Sequence, residues 1–164
     1  VTPLAFAESK IELDAKVQEA RSTFAQHTSA GAELAAKAHG VLVFPSVIKA
    51  GFGVGGEYGE GALLIGGKTA GYYNIAAASI GLQLGAQARS EITLFMTAEA
   101  LRNFRESQGW KAGVGGSVAL ATLGAGGSID TDTAKKPIIG FIFSGKGLMY
   151  NLTFEGSKIT KIDK

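Results

Sequence analysis

The sequence predicts an α+β fold, a strongly curved antiparallel β-sheet or barrel with two N-terminal helices and one helix inserted between strands. Three observations carry this. Up to about Ala38, apolar residues recur at helical spacing. After Gly40 they fall into short runs and alternations punctuated by Gly, Pro and Ser, the pattern of strands. Gly fills 24 of the 164 positions, about twice its usual share, and many of these glycines alternate with apolar residues. A strand face without side chains allows a sheet to coil sharply.

Taken in order, Ser9-x-x-Glu12 is a capping box that opens a helix. Leu13, Val17, Ala20 and Phe24 then form one apolar stripe that ends near His27. A second short helix is predicted over Ala30–Ala38 around Leu34, with Gly40 placed to terminate it. Val41–Phe44 reads as a strand stopped by Pro45-Ser46. Phe52 and Val54 alternate with Gly51, Gly53 and Gly55. Gly59-Glu60-Gly61 reads as a turn before the apolar Ala62–Ile65. Strands follow over Gly71–Ile75, Ser79–Arg89 and Glu91–Phe95. Thr97 caps a helix with Leu101 and Phe104 inward and Gly109 as its stop. Ala112–Ala121, Ala125–Asp130, Ile138–Phe143 and Leu148–Phe154 are the remaining strands, and Asp130–Pro137 is a polar connector. G-x-G-G occurs at Gly53, Gly113 and Gly124, at irregular spacing, which implies one structural device used three times rather than a repeat array.

The length fits one domain, read as residues 9–164. Residues 1–8 read as a tail or a signal-peptide remnant, because Ala5-Phe6-Ala7 matches the end of an export signal. That points to an exported protein, periplasmic or outer-membrane associated. A net charge of +2 supplies no global field for nucleic acid. With no cysteine, disulfides, thiolate metal sites and a cysteine nucleophile are excluded. Thr69–Ala88 and Ala112–Ile129 carry no charge, and Gly81-x-x-x-Gly85 resembles a membrane packing motif. Ile80–Arg89 nevertheless alternates with period two, a strand signature, and the second stretch is too Gly-rich for a good span.

Gly51, Gly53 and Gly56 make a nominal G-x-G-x-x-G. A dinucleotide loop needs a helix start after its glycines. Here "EYGEGALLIGG" follows, and Glu57 and Glu60 would repel a phosphate. The structural reading is a bare strand face covered by aromatic residues such as Phe52, Tyr58, Tyr72 or Tyr73. Glu57 and Glu60 themselves read as loop carboxylates that confer solubility. His27 and His39 stand at helix ends, where the dipole favours them. No G-x-S-x-G elbow is present, and Asp130-Thr131-Asp132 lacks the rest of a calcium loop. Neither a catalytic nor a metal site, and no cofactor, is expected.

The segments "HGVLVFPSVIKAGFGVGGEYGEGALL", "AGYYNIAAASIGLQLGAQARSEITLFMTAEAL" and "GFIFSGKGLMYNLTFEGSKI" together resemble the SYLF domain. The resemblance runs over about Ala30–Ile162. Its most specific positions are Gly81, Gln83, Gly85, Gln87 and Glu91, then Gly147, Leu148, Gly156 and Ser157. It implies membrane-lipid binding without catalysis. Eukaryotic relatives are associated with phosphoinositides and, in some cases, with actin and membrane remodelling; bacterial relatives are often exported envelope proteins. No lipobox cysteine is present to argue an anchor. The N-terminal segment departs from the basic amphipathic segment of some eukaryotic members, since Lys10, Lys16, Arg21 and Lys37 are outnumbered by Glu8, Glu12, Asp14, Glu19 and Glu33.

Charge separates toward the C-terminal end. From Lys135 onward Lys135, Lys136, Lys146, Lys158, Lys161 and Lys164 face only Glu155 and Asp163, and each such lysine near an anionic surface contributes ~1 kcal/mol. The expected function is non-enzymatic binding of anionic phospholipid or phosphoinositide headgroups at a membrane surface. The candidate lipid-binding residues are Lys49, Arg102, Arg105, Lys111, Lys135, Lys136 and Lys146. The alternative is a protein-interaction or structural envelope domain that binds a protein partner or self-associates as a homo-oligomer.

Overall fold

The computed structural model describes residues 9–50, 56–78, 89–122, 128–144, 147–148, 154 and 156–164, with backbone alone at 49, 50, 78 and 148. Helix α1 spans Lys10–His27. Its capping box is complete, with Glu12 N–H donating to Ser9 Oγ at 3.1 Å and Ser9 N–H to Glu12 Oε1 at 3.2 Å. Leu13, Val17, Ala20 and Phe24 are its buried face. Thr28 ends α1 by donating its N–H to Phe24 O and starts α2 (Ser29–Lys37) by accepting from Gly31 N–H at 2.9 Å. The chain then runs through β1 (Gly40–Ala50), β2 (Gly56–Ile65), β3 (Lys68–Ala78) and β4 (Arg89–Phe95). Helix α3 (Ala98–Glu106) follows, then β5 (Trp110–Lys111), β6 (Ala119–Leu120), the short α4 (Thr131–Ala134), β7 (Ile138–Ser144), β8 (Gly147–Leu148) and β9 (Lys158–Ile162).

The strands join in one sheet in the order β5-β9-β3-β2-β1-β4-β7-β6, with β8 also on β7. Every pair is antiparallel except β6 with β7. The sheet curls into a half-barrel. Trp110 of β5 and Phe95 of β4 are five strand steps apart in that order, about 24 Å on a flat sheet. Their ring centroids are 6.3 Å apart, so the sheet folds over on them. Phe104 of α3 closes the cluster, stacked on Phe95 at 4.7 Å and edge-on to Trp110 at 5.6 Å.

Alternation sends the strand residues to two cores. Leu42, Phe44, Leu63, Tyr73, Phe95, Ile138 and Ile142 line the inner face with Trp110 and Phe104. Val43, Ala62, Leu64, Tyr72, Ile92, Leu94, Phe141 and Phe143 form the other face, which α1 covers. Phe24 meets Phe141 edge-on at 4.7 Å, and Tyr72 donates to Asp14 Oδ1 at 2.8 Å. Tyr72 and Tyr73 therefore serve opposite faces rather than one. No helix among the described residues is long and apolar enough to cross a membrane.

The predicted fold class holds, but several local readings are corrected. Pro45-Ser46 does not stop β1. The register shifts there against both neighbours, a bulge that absorbs a residue lacking an N–H. Gly59-Glu60-Gly61 is not a turn but the middle of β2. A Cβ on Gly61 would strike the Val43 carbonyl oxygen, and one on Gly59 would lie 2.7 Å from Ser46 O. The bare glycine face is thus on β2, where β1 crosses it closely. The actual turn is Gly66-Gly67, at φ +62° and +82°, the two left-handed positions of a tight hairpin.

Gly40 belongs to β1 instead of capping α2, and a Cβ there would come within 2.7 Å of Leu101 Cδ1. Gly109 lies beyond the end of α3, which closes at Ser107. Ala112–Ala121 is not one strand, because Gly113 at φ +94° starts a turn whose Gly115 and Gly116 lie against the Trp110 ring. The polar connector contains α4, capped by Asp130. Strand β9 was not expected. Gly56 of the G-x-G-x-x-G opens a strand, not a helix. Gly51, Gly53, Gly55, Ser79–Ala88 and the Gly124 echo lie outside the described residues.

Candidate functional site

Two features on the inner side of the curl carry charge. At the end where β2 and β4 begin, Arg89 bridges two carboxylates. Its Nε donates to Glu91 Oε2 at 3.0 Å and its Nη1 to Glu57 Oε2 at 2.8 Å. Glu91 lies opposite the inner-facing Phe44 and is 3% exposed. Burial pushes its carboxyl above the ordinary range, against the opposing pull of Arg89. The hydrogen bond to Glu57 is the main cause holding the Arg89 guanidinium above its own range. Glu60 also bonds on its strand, accepting from Tyr58 at 3.1 Å and pairing with Lys164 Nζ at 2.7 Å. Glu57 and Glu60 are therefore partly buried structural carboxylates, a correction to their reading as loop solubility. Through Arg89 and Glu57 this cluster ties β4 to β2.

The second feature is a groove of about 390 Å³ along α3, lined by His39, Tyr73, Leu101, Arg102, Arg105, Glu106 and Lys161, with Ala98 at its end. It exists because α3 is held by one face. Thr97 Oγ1 accepts from Ala100 N–H at 3.1 Å and fixes the start, while Phe104 is buried against Phe95 and Tyr73. Arg102 and Arg105, one turn apart, are then left exposed on the opposite side. Lys161 of β9 pairs in register with Tyr73 and reaches the same groove. Burial raises the Tyr73 phenol above its ordinary value, and the neighbouring Arg105 works against that rise. Three cations thus share the groove with one carboxylate, an arrangement suited to an anion.

Of the seven residues expected from sequence, the groove gathers Arg102 and Arg105. Lys136 lines a different groove, on the other flank of α3. Lys111 is exposed on β5 opposite Lys158. Lys135 is exposed just past α4. The side chain of Lys49 and all of Lys146 lie outside the described residues. The sequence reading missed His39, Tyr73 and Lys161 as groove residues. The register of β9 brings Lys161 there, and no local pattern announces that strand. No cluster of three or more metal-ligating side chains occurs among the described residues.

Residues 76–164 match the Ysc84 family, described as Las17-binding protein actin regulator. The chain belongs to this family. The Ysc84 match covers β4, α3 and β9, and so includes Arg102, Arg105 and Lys161; it leaves His39 and Tyr73 outside. Ysc84, or SYLF, domains form a non-catalytic binding family associated with lipid binding and actin regulation. None of the curated proteins compared with the chain matches it.

Proposed function

We propose that this Ysc84-family chain binds anionic phospholipid headgroups at a membrane surface, with the α3 groove as the contact. The observation that carries the proposal is the convergence of Arg102, Arg105 and Lys161 on one groove with Glu106 as its single carboxylate. Arg forks bind phosphate oxygens bidentately, and Lys adds a point charge. Lys49, Lys111, Lys135, Lys136 and Lys146 contribute long-range attraction to the anionic surface. An exported, envelope location belongs to the same proposal, on the Ala5-Phe6-Ala7 pattern.

Vesicle co-sedimentation tests it. Binding is expected to vesicles containing phosphatidylglycerol or a phosphoinositide, to fall with rising salt, and to be lost in Arg102→Glu/Arg105→Glu. Absence of binding at low salt to every anionic composition overturns the function, while unchanged binding in the double variant overturns the site. The family description favours a second reading, a protein partner in place of a lipid. Lipid-independent retention of a defined partner by the immobilised chain, with no vesicle binding, supports that one.

A further inference from the structure

Helix α3 has a second flank. There a separate groove of about 370 Å³ is lined by Glu99 and Asn103 of α3, the Gly115–Ala119 segment, Lys136, Ile138 and Trp110. Its floor is apolar and fixed. Trp110 is 3% exposed, and its Nε1 lies against Gly115, where a Cβ would come within 2.8 Å. The glycines keep the wall thin at the indole N–H. Among the described residues, no acceptor bonds that N–H and Glu99 and Lys136 make no ion pair. Yet both charges line the same small cavity. The walls are held together by Met96 N–H donating to Pro137 O at 2.8 Å, which keeps the segment carrying Lys136 beside the start of α3.

We propose that this groove is a binding site for a zwitterion of the phosphoethanolamine class, a primary ammonium a few ångströms from a phosphate. Glu99 receives the ammonium, with the Asn103 amide oxygen beside it. Lys136 takes the phosphate, and the indole N–H of Trp110 is the remaining donor. The charges explain the choice. A simple anion finds Glu99 repulsive, and a simple cation finds Lys136 repulsive, so a ligand carrying both signs satisfies the groove better than either alone. The same chemistry arises from free phosphoethanolamine and from a phosphatidylethanolamine headgroup. The site is distinct from the cationic groove of Arg102 and Arg105, and stands or falls independently of it.

Trp110 is the one tryptophan of the chain, so its fluorescence reports on this groove directly. Titration with O-phosphoethanolamine should give a saturable change in Trp110 emission. Inorganic phosphate and ethanolamine, added separately, should each bind at least ~10-fold more weakly, the equivalent of ~1.4 kcal/mol. Glu99→Gln and Lys136→Gln lie on exposed positions and should melt as the parent does, yet each should weaken the titration ~10-fold. Arg102→Glu/Arg105→Glu should leave it unchanged. A parallel arm adds phosphatidylethanolamine to neutral phosphatidylcholine vesicles: a Trp110 change with these vesicles assigns the headgroup on a membrane, and a change with the free compound alone assigns the soluble molecule. No saturable change in either arm, or equal binding of inorganic phosphate alone, overturns the proposal. So does unaltered binding in both Gln variants.

Discussion

Arg89 Nε donates to Glu91 Oε2 at 3.0 Å across two residues of one strand, and Glu91 Oε1, also buried, has no partner. Arg89 is shared with Glu57, so two carboxylates face one guanidinium in a largely desolvated place. Burial therefore outweighs the attraction at Glu91, and its carboxyl titrates above its ordinary value of 4.5.

This fixes the sign of a pH effect. The folded chain holds the Glu91 proton more tightly than the unfolded chain does. The associated stability is fully present below the ordinary carboxylate value and is lost as pH rises through the raised folded value. Urea midpoints measured across that window should fall with rising pH in the parent. Glu91→Gln, which keeps the shape and removes the ionisation, should flatten this component.

Removal of the cation should be far more costly. Arg89→Met leaves Glu57 and Glu91 without their shared partner, and breaking a buried pair in this way costs ~3–5 kcal/mol. Chemical denaturation should show a lower midpoint with an unchanged slope. A loss under ~1 kcal/mol would contradict the desolvated placement of the cluster, since that is the range of exposed pairs.

The glycines of β2 and of the following turn should differ in kind. Gly61→Ala drives a methyl into the Val43 carbonyl and should cost ~3 kcal/mol, the upper range for overpacking. Gly66→Ala meets nothing within 4 Å and pays only for its left-handed backbone, ~1 kcal/mol. Thermal melts of the two variants should rank in that order.

Tyr72 ties the outer face of the sheet to α1. Tyr72→Phe removes the hydrogen bond to Asp14 and should cost ~1 kcal/mol. Burial foremost, then Asp14, pushes the phenol up to about 12. Its contribution to stability is thus present below 10 and lost as pH rises through about 12. Spectrophotometric titration should find that the variant lacks the tyrosine that ionises at about 12 in the parent.

On vesicles, Arg102→Gln and Arg105→Gln should each weaken binding by ~1 kcal/mol, and because the two lie one turn apart on one groove their combined effect should depart from the sum. Salt should shrink the difference between parent and variants.

Elements governed by neighbours in sequence were legible. Ser9 with Glu12 announced α1, the Leu13–Phe24 stripe its buried face, and Thr97 the start of α3. Elements governed by distant strands were not. Gly59 and Gly61 look like turn residues until β1 is seen to press on them. Glu57 looks solvated until Arg89, thirty-two positions on, is paired beside it. At the groove, charge alone points to Arg102 and Arg105, and α3 then sets them one turn apart, whereas Lys161 needed the register of β9 to be placed. Lys136 was named for its charge and found on the other flank, since net charge along a chain carries no direction in space.

The edge contact between Phe24 and Phe141 also sets an order of events in the life of the chain. The partners are separated by most of the sequence, so although β1 and β2 can cover much of the α1 stripe, Phe24 gains its aromatic neighbours only once β7 has been made and paired. Contacts of such long range slow folding. Throughout that interval the C-terminal end of α1, at Phe24, stays the least covered part of the helix, and its packing is among the last to be completed.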